Sequence, residues 1–241
     1  MQTAAVDNSW VMRQTWSKLL FAHWPVKPEV LRSLIPSSLE IDTFDGMAWV
    51  GVVPFYMSNV RFHYLPPLPT TTEFCELNVR TYVMPKGGKP GVWFFSLDAS
   101  SALAVNGARV AFHLPYYNAS MRLTTTGKDV HYFSHRTHRN AQTAQFEGHY
   151  QPAGEVYRSQ AGTLEYWLTE RYCLYAADGR QTIYQGDIVH EPWPLQPAEA
   201  DLSLNTMAKA ADITLPDIQP LLHYAEHLDV HAWYLRRIAV S

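Results

Sequence analysis

The chain has 241 residues and a mass of 27.5 kDa; 47% of its residues are hydrophobic, 17% are charged, and its formal net charge is −3. A chain of this length buries roughly 70–75% of its unfolded surface, and its ordinary apolar, Gly and Pro content excludes a disordered, collagen-like or coiled-coil protein. No run of three Lys or Arg residues is present, which argues against a nucleic-acid partner.

The N-terminal residues carry no basic-then-apolar secretion signal. The longest apolar stretch, residues 47–57, is about half a membrane span and contains Gly51 and Pro54. Cys75 and Cys173 are far apart in sequence, which predicts two free, buried thiols in a reducing compartment. We therefore predict a cytoplasmic protein without a membrane partner.

Strand signals dominate the chain. Runs rich in Val, Tyr, Phe, Trp and Thr predict strands over residues 47–57, 73–84, 91–97, 116–126, 130–135, 143–151, 171–177 and 180–191. Short Gly-containing turns at residues 86–89, 126–129 and 178–179 join neighbouring strands as hairpins. The pattern predicts an antiparallel meander.

The predicted helices are few and short. They span residues 29–35 (opened by Pro28, closed by Pro36), 99–105 (capped by Asp98, stopped by Asn106-Gly107), 164–171 (capped by Thr163) and 206–211 (capped by Asn205). Residues 66–72 read PPLPTTT and are predicted to form a loop, so residues 1–241 are expected to form a single domain. The predicted fold class is α+β, mainly β: a barrel or sandwich with short flanking helices.

The predicted strand at residues 73–84 carries a polar row. Glu76, Asn78 and Arg80 occupy alternate positions, whereas the intervening Leu77 and Val79 are apolar. The row is either a solvent-facing surface or the polar lining of a barrel, where a carboxylate and a guanidinium orient a ligand. The pattern alone favours the solvent-facing interpretation.

We predict neither a metal nor a cofactor. Two histidine clusters occur, and spacings of four residues let two histidines share a metal on a helix. The second cluster fits a strand equally well, so we expect structural and surface histidines at His131, His135, His138, His223, His227 and His231. No Gly-x-Ser-x-Gly elbow or Gly-rich phosphate loop is present.

Several long segments together resemble one protein family. They are LLFAHWPVKPEVLRSLIP (19–36), LEIDTFDGMAWVGVVPF (39–55), FCELNVRTYV (74–83), GVWFFSLDASSALAVNGARVAFHLPYY (91–117), LTERYCLY (168–175) and EPWPLQPAEA (191–200). Over roughly residues 12–232 the chain resembles the YqjF-like family, bacterial proteins that carry a domain of unknown function. The resemblance implies the acetoacetate-decarboxylase-like superfamily, whose fold is a curved antiparallel β-barrel around a central cavity.

The resemblance also implies where an active site would lie. Decarboxylases of this superfamily carry a glutamate in a Tyr-x-Glu strand, and the matching residue here is Glu76. Their Schiff-base lysine is the first of a Lys-Lys pair, and Tyr116 and Tyr117 stand at those two positions, after Arg109 at the helix exit. Because tyrosine has no amine, the resemblance implies the fold without the imine chemistry.

Another lysine would have to replace the missing pair. The chain has only six, and five of them lie in predicted turns or on a polar helix: Lys27, Lys86, Lys89, Lys128 and Lys209. Lys18, ahead of an apolar run, is the one candidate for burial and imine formation.

We predict a cavity protein that binds a small acidic or keto-acid-like molecule. Glu76, Asn78 and Arg80 would line its polar side, and Tyr116 and Tyr117 are candidate hydrogen-bond donors. Arg109 is either an anion partner or a structural residue at the helix exit.

Whether the bound molecule reacts is left open by the sequence. A lyase, hydratase or isomerase without an imine would use Glu76 as general base and Tyr116 as general acid or oxyanion donor. A sensor or carrier would bind the same ligand without turnover, and a structural module would have a filled cavity. A homo-oligomer is also possible.

Overall fold

The computed structural model describes residues 10–63 and 72–239. Its thirteen strands form one sheet. They are β1 (Met12–Val26), β2 (Leu39–Ile41), β3 (Ala48–Phe62), β4 (Phe74–Pro85), β5 (Gly91–Ala99), β6 (Tyr116–Thr126), β7 (Asp129–Arg136), β8 (Gln145–Pro152), β9 (Cys173–Ala177), β10 (Ile183–His190), β11 (Leu195–Asn205), β12 (Leu221–Ala232) and β13 (Arg236–Arg237). The predicted mainly-β fold class is confirmed. The loop predicted at 66–72 lies outside the described residues except for Thr72.

All eight predicted strands are present. Their ends lie within three residues of the expected ones, except that β3 continues five residues past residue 57, to Phe62. The sequence did not predict β1, one of the two longest strands. Lys18 interrupts β1 with a φ of +52°, and the residues that follow it, from Leu19 to Trp24, are buried on both faces. A strand buried on both faces has no hydrophobic alternation, so its period-two signal is lost.

The sheet closes on itself along two paths. One closed ring has nine strands in the order β5, β6, β7, β8, β11, β12, β1, β3, β4. A second closed ring has seven strands, because β10 also pairs with β12 and β9 also pairs with β5. The two rings share five strands, β5, β4, β3, β1 and β12, which we call the shared wall. The part of the shared wall around β4 is therefore covered on both faces, and every residue of β4 except Met84 is buried.

The strand β4 shows how the two rings divide its side chains. Leu77, Val79 and Val83 pack with Tyr132 and Phe146 in the hydrophobic core of the nine-strand ring. The alternate residues of β4 point into the seven-strand ring, because successive side chains of a strand face opposite sides.

Two pairings of β5 differ from the predicted antiparallel meander. β5 pairs in parallel with β6 and with β9, whereas the other described pairings are antiparallel. Parallel neighbours cannot be joined by a tight turn. The helix α2 (Ala102–Phe112) makes the crossover from β5 to β6.

The predicted bounds of α2 are wrong. Ser101, and not Asp98, caps the helix by accepting a hydrogen bond from the Ala104 amide at 3.3 Å. Asp98 cannot serve, because it lies in β5 and its carboxylate binds Arg136. The helix also continues past Asn106-Gly107 and ends at His113, whose φ is +49°. One helical glycine costs only about 1 kcal/mol, which does not stop a helix of eleven residues.

The remaining helices are short. α1 (Pro28–Arg32) begins at Pro28 as predicted but ends three residues before Ile35. α3 (Leu164–Thr169) is capped by the predicted Thr163 hydroxyl but ends two residues before Arg171. The helix predicted at residues 206–211 is only a 3₁₀ turn over Lys209–Ala211.

Cys75 and Cys173 are both buried and free, as predicted. Within residues 10–63 and 72–239, none of the helices has the length and apolar character that crossing a bilayer requires.

Candidate functional site

The seven-strand ring contains a cavity of about 450 Å³. Every strand of that ring contributes to its lining, and α2 and the start of β6 add Leu103, Ala104 and Tyr116. Most of the lining is apolar, and its aromatic members include Trp16, Phe55, Phe62, Phe74, Phe94 and Trp193. An apolar concavity with a few polar groups is the usual form of a small-molecule site.

The polar row of β4 lies in this cavity. Glu76, Asn78 and Arg80 all line it, and they are only 3%, 5% and 8% exposed. The solvent-facing interpretation is wrong, because the shared wall has a second layer on each side. The structure therefore brings these three predicted residues together with Tyr116.

Tyr116 and Glu76 form a buried hydrogen-bonded pair. The Tyr116 hydroxyl donates to Glu76 Oε2 at 2.9 Å. Burial raises the pKa of Glu76 to about 8, and the Asp98 charge adds to this effect while the bond from Tyr116 opposes it. Burial, followed by the Glu76 charge, raises the pKa of Tyr116 well above its ordinary value. At neutral pH both groups are therefore protonated and uncharged.

Arg80 is the one described cavity-lining guanidinium that has no carboxylate partner. Its Nη2 donates to the Tyr82 hydroxyl at 3.4 Å, and its Cζ lies 5.1 Å from the centre of the Phe21 ring. Its buried Nε has no hydrogen-bond partner among the described residues. A guanidinium stays protonated in proteins, and a buried charge without a partner is destabilising. An anion in the cavity would relieve this penalty.

Tyr82 and His23 position the Arg80 side chain through a chain of hydrogen bonds. The Tyr82 hydroxyl lies 2.7 Å from His23 Nε2. Burial, followed by the Arg80 charge, lowers the pKa of His23 well below its ordinary value, so the His23 ring is neutral and shares one hydrogen bond with that hydroxyl. Gly51 leaves the space for this arrangement, since a Cβ there would lie 2.9 Å from His23 Nε2 and 3.4 Å from Arg80 Cγ.

The other ionisable groups of the lining carry no uncompensated charge. Arg171 is paired with Asp42 at 2.7 Å, and Asp187 is paired with Lys89 at 3.4 Å. Burial lowers the pKa of His190 and raises the pKa of Cys173, which keeps both neutral. With Glu76 protonated, Arg80 supplies the single net charge of the described lining.

Tyr117 and Arg109 lie outside the cavity lining. Tyr117 follows Tyr116 on β6, so its ring points to the opposite side, where it lies 4.1 Å from the Arg136 guanidinium carbon. Arg109 is exposed on α2 and its Nη1 donates to the Tyr116 carbonyl at 2.6 Å. That contact supports the start of β6 and leaves Arg109 away from the cavity.

No lysine is among the described residues that line the cavity, and all six lysines lie within the described ranges. Lys18 is not the buried residue that the sequence suggested: its side chain is 32% exposed and is ion-paired with Glu226. Lys89 pairs with Asp187 at the surface, and the other four are exposed: Lys27, Lys86, Lys128 and Lys209.

The histidine clusters do not converge. The second cluster lies on the strand β12, where residues four apart are separated by about 13 Å, too far to share a metal: His223, His227 and His231. In the first cluster, the His131 ring stacks on His149 at 4.3 Å and pairs with Glu147. In the part of the chain that the structure describes, no three His, Cys, Asp or Glu side chains are arranged to hold a metal.

The structure adds residues that the sequence did not assign to the polar part of the site. Tyr82 continues the alternate row of β4 beyond Arg80, so its position in the strand was an available signal. Arg171 and His190 come from distant parts of the chain and reach the cavity only through the pairing of β9 and β10 with the shared wall. No local pattern marks them.

Sequence comparison identifies the family. The DUF2071 family, described as an uncharacterized conserved protein, matches residues 13–229. The chain is also 50% identical over 231 residues to the uncharacterized protein YqjF of Bacillus subtilis (strain 168). That alignment covers 96% of this chain and 94% of YqjF.

Solved structures with the same fold are more distant. An acetoacetate decarboxylase from Legionella pneumophila has a TM-score of 0.63 and 13% identity, with 99% of this chain and 92% of that chain covered. The enduracididine biosynthesis enzyme MppR, complexed with the condensation product of pyruvate and imidazole 4-carboxaldehyde, has a TM-score of 0.64 and 11% identity, with 94% and 88% covered. An acetoacetate decarboxylase-like enzyme from Sphingomonas wittichii RW1 has a TM-score of 0.63 and 12% identity, with 97% and 94% covered.

At these identities the structural similarity establishes the fold alone, and it confirms the predicted acetoacetate-decarboxylase-like architecture. The sequence match extends over most of the chain and is specific. The chain belongs to the DUF2071 family of YqjF-like proteins.

Proposed function

We propose that this protein binds a small organic acid in the cavity of the seven-strand ring, with the ligand's carboxylate on Arg80. The observation that carries the proposal is the buried guanidinium that lines the cavity without a carboxylate partner. Arginine binds carboxylates through paired, charge-assisted hydrogen bonds. The proposal is also supported by MppR, a protein of the same fold that was solved in complex with pyruvate.

Neutral polar groups near Arg80 can form hydrogen bonds with the other oxygen atoms of such a ligand. A protonated Glu76 does not repel an anion, and with Tyr116 it offers hydrogen bonds to a carbonyl or hydroxyl oxygen. The Asn78 Oδ1 is buried without a partner among the described residues and is a free acceptor. Tyr117 and Arg109 have no part in the proposed site.

Replacing Arg80 by methionine is expected to weaken carboxylate binding strongly. A hydrogen bond to a charged group contributes about 1.5–3 kcal/mol, so the dissociation constant should rise roughly 10- to 100-fold. Titration calorimetry with a panel of 2-oxo and simple carboxylates measures this change.

The matched control is Arg122→Met, which removes an exposed guanidinium from β6. It should leave the affinity unchanged. Thermal unfolding of Arg80→Met should show a fold at least as stable as the wild type, because a buried unpaired charge is removed. Equal affinity of wild type and Arg80→Met for every carboxylate would contradict the proposal.

A second function, a lyase, hydratase or isomerase that works without an imine, is favoured by the Glu76–Tyr116 pair. The two groups are in hydrogen-bond contact, they line the same cavity as Arg80, and both have raised pKa values. Groups with shifted pKa values in a cleft are candidates for proton transfer. Glu76 in its ionised form would remove a proton next to a ligand carbonyl, and the Tyr116 hydroxyl would turn its proton from Glu76 to the developing oxyanion.

Tyr116→Phe is expected to abolish this reaction while leaving the ligand bound. Removing one such donor costs on the order of 100- to 1,000-fold in rate, whereas the Arg80 contact is untouched. The measurement is the exchange of C3 protons of 2-oxo acids in D₂O, followed by NMR, together with calorimetric affinities. An unchanged exchange rate in Tyr116→Phe would rule out this role, and a wild type that binds without exchange would be a carrier or sensor.

A further inference from the structure

We infer that the ligand is a monocarboxylate with a bulky apolar body, of the size of octanoate or a phenylalkanoate, rather than a short acid such as pyruvate or acetate. This inference rests on the proposed function and specifies its ligand class. Three independent features of the cavity carry it: its volume, the extent of its apolar wall and its net charge.

The volume exceeds what a short acid needs. At about 30 Å³ for each water molecule in the liquid, the 450 Å³ of the cavity correspond to roughly 15 waters. A short keto acid would displace fewer than half of them and would leave the rest against apolar side chains. Water confined by apolar walls has few hydrogen-bond partners, so its release to bulk solvent is favourable. A ligand that fills the cavity releases all of this water and should therefore bind more tightly than a short acid, which releases only part of it.

The apolar wall extends far from Arg80. The cavity-facing residues of β4 run from Arg80 to Phe74, six residue steps along one strand, or about 20 Å of backbone at ~3.3 Å per residue. Phe74 pairs with Met57 on β3, which also lines the cavity. A carboxylate held by Arg80 therefore points its body along a wall that includes Glu76 and ends in apolar side chains.

The chemistry of that wall fits an apolar body. Phe55, Met57, Phe62 and Phe74 line the end of the cavity away from Arg80, and Trp16 packs beside Phe55 with its ring centre 5.7 Å away. Methionine and aromatic side chains offer polarisable, close-packing surface to alkyl chains and rings. The ionisable side chain beside them is Glu76, the register partner of Phe55, which is uncharged at neutral pH.

The charge of the lining fits a single carboxylate. Arg171 and Asp187 are neutralised by Asp42 and Lys89, and Glu76 is protonated at neutral pH. Arg80 is the single uncompensated charge in the described lining. A dicarboxylate would bury a second negative charge without a partner, which is strongly unfavourable.

A chain-length series tests the inference on the wild-type protein. The probes are acetate, pyruvate, butanoate, hexanoate, octanoate and 4-phenylbutanoate, with octan-1-ol as the uncharged analogue. Each buried methylene should tighten binding roughly fourfold, so octanoate should bind more than 100-fold tighter than butanoate. Binding can be followed by calorimetry and by the fluorescence of Trp16 and Trp193, which line the cavity.

A cavity-filling variant adds a second, independent readout. Phe55→Trp adds volume to the cavity wall opposite Glu76, four residue steps or about 13 Å along β4 from Arg80, within reach of the octanoate tail. It should weaken octanoate binding at least 10-fold and change butanoate binding less than twofold, and the butanoate result also reports that the variant is folded. Equal losses for both acids would overturn the assignment of the tail to this wall.

The outcomes separate this inference from the proposed function. If pyruvate or butanoate binds as tightly as octanoate, and Arg80→Met weakens that binding, the ligand is a small acid and the inference is overturned. If octan-1-ol binds as tightly as octanoate, the carboxylate is not recognised and the proposed function fails instead. Absence of binding by every acid would overturn both.

Discussion

Replacing Glu76 by glutamine is expected to stabilise the protein increasingly as the pH rises. The gain in the free energy of unfolding, relative to wild type, should grow by about 5 kcal/mol between pH 4.5 and pH 8 and then level off. For a protein of this size that corresponds to roughly 10–20 °C in Tm. Thermal unfolding of both proteins in buffers from pH 4 to pH 9 measures the difference.

The direction of this pH effect follows from the different pKa values of Glu76 in the folded and the unfolded chain. Burial raises the pKa of Glu76 in the folded state to about 8, from an ordinary value of 4.5. Between these two values the unfolded chain has released the proton and the folded chain retains it, so rising pH favours unfolding of the wild type. The stability from this group is complete below pH 4.5 and is lost as the pH rises to 8. Glutamine mimics the protonated acid, still accepts from Tyr116, and does not titrate.

The matched control is Glu40→Gln, on the exposed face of β2. Its stability difference from wild type should show no comparable rise over the same pH range. A difference between Glu76→Gln and wild type that stays constant from pH 4 to pH 9 would contradict a neutral Glu76. It would also remove the argument that the cavity holds a single net positive charge.

Much of the fold was predictable from local sequence, because the eight predicted strands and their hairpin turns depend on alternation and turn residues. The strand β1 was not, since burial on both faces erases the alternation. Burial on both faces also explains why the polar row of β4 was assigned to the wrong environment. Considered alone, a strand with polar side chains on one face has the pattern of a solvent-exposed strand. The polar row lines a cavity only because the seven-strand ring covers it, and that ring is closed by the long-range pairings of β9 and β10.

The site was predictable in part for a related reason. Glu76, Asn78 and Arg80 share one strand, so their common face follows from the period of two. Tyr116 and Tyr117 are also neighbours on one strand, and the same rule sends only one of them inward. Which one points inward depends on the parallel register between β5 and β6, and no residue-level pattern sets that register.

The second large effect is expected at an ion pair outside the cavity. Arg136 on β7 donates to both oxygens of Asp98 on β5, at 2.8 Å from Nε and 2.7 Å from Nη2. The side chains are 3% and 0% exposed, and the Tyr117 ring covers the guanidinium. Asp98 is the register partner of Tyr117, so the pair fixes the strand that presents Tyr116 to Glu76.

Asp98→Ala is expected to lower the free energy of unfolding by about 3–5 kcal/mol, because it leaves the buried Arg136 charge without a partner. The double variant Asp98→Ala/Arg136→Met should recover most of that loss, since both charges are then gone. Denaturant unfolding of the two variants measures this coupling, and Asp201→Ala on β11, an exposed aspartate, is the control.

If Asp98→Ala and the double variant are equally unstable, the pair does not act as a unit. The alternative is then that Asp98 stabilises the junction of β5 and α2 by itself, and the placement of Tyr116 does not depend on Arg136.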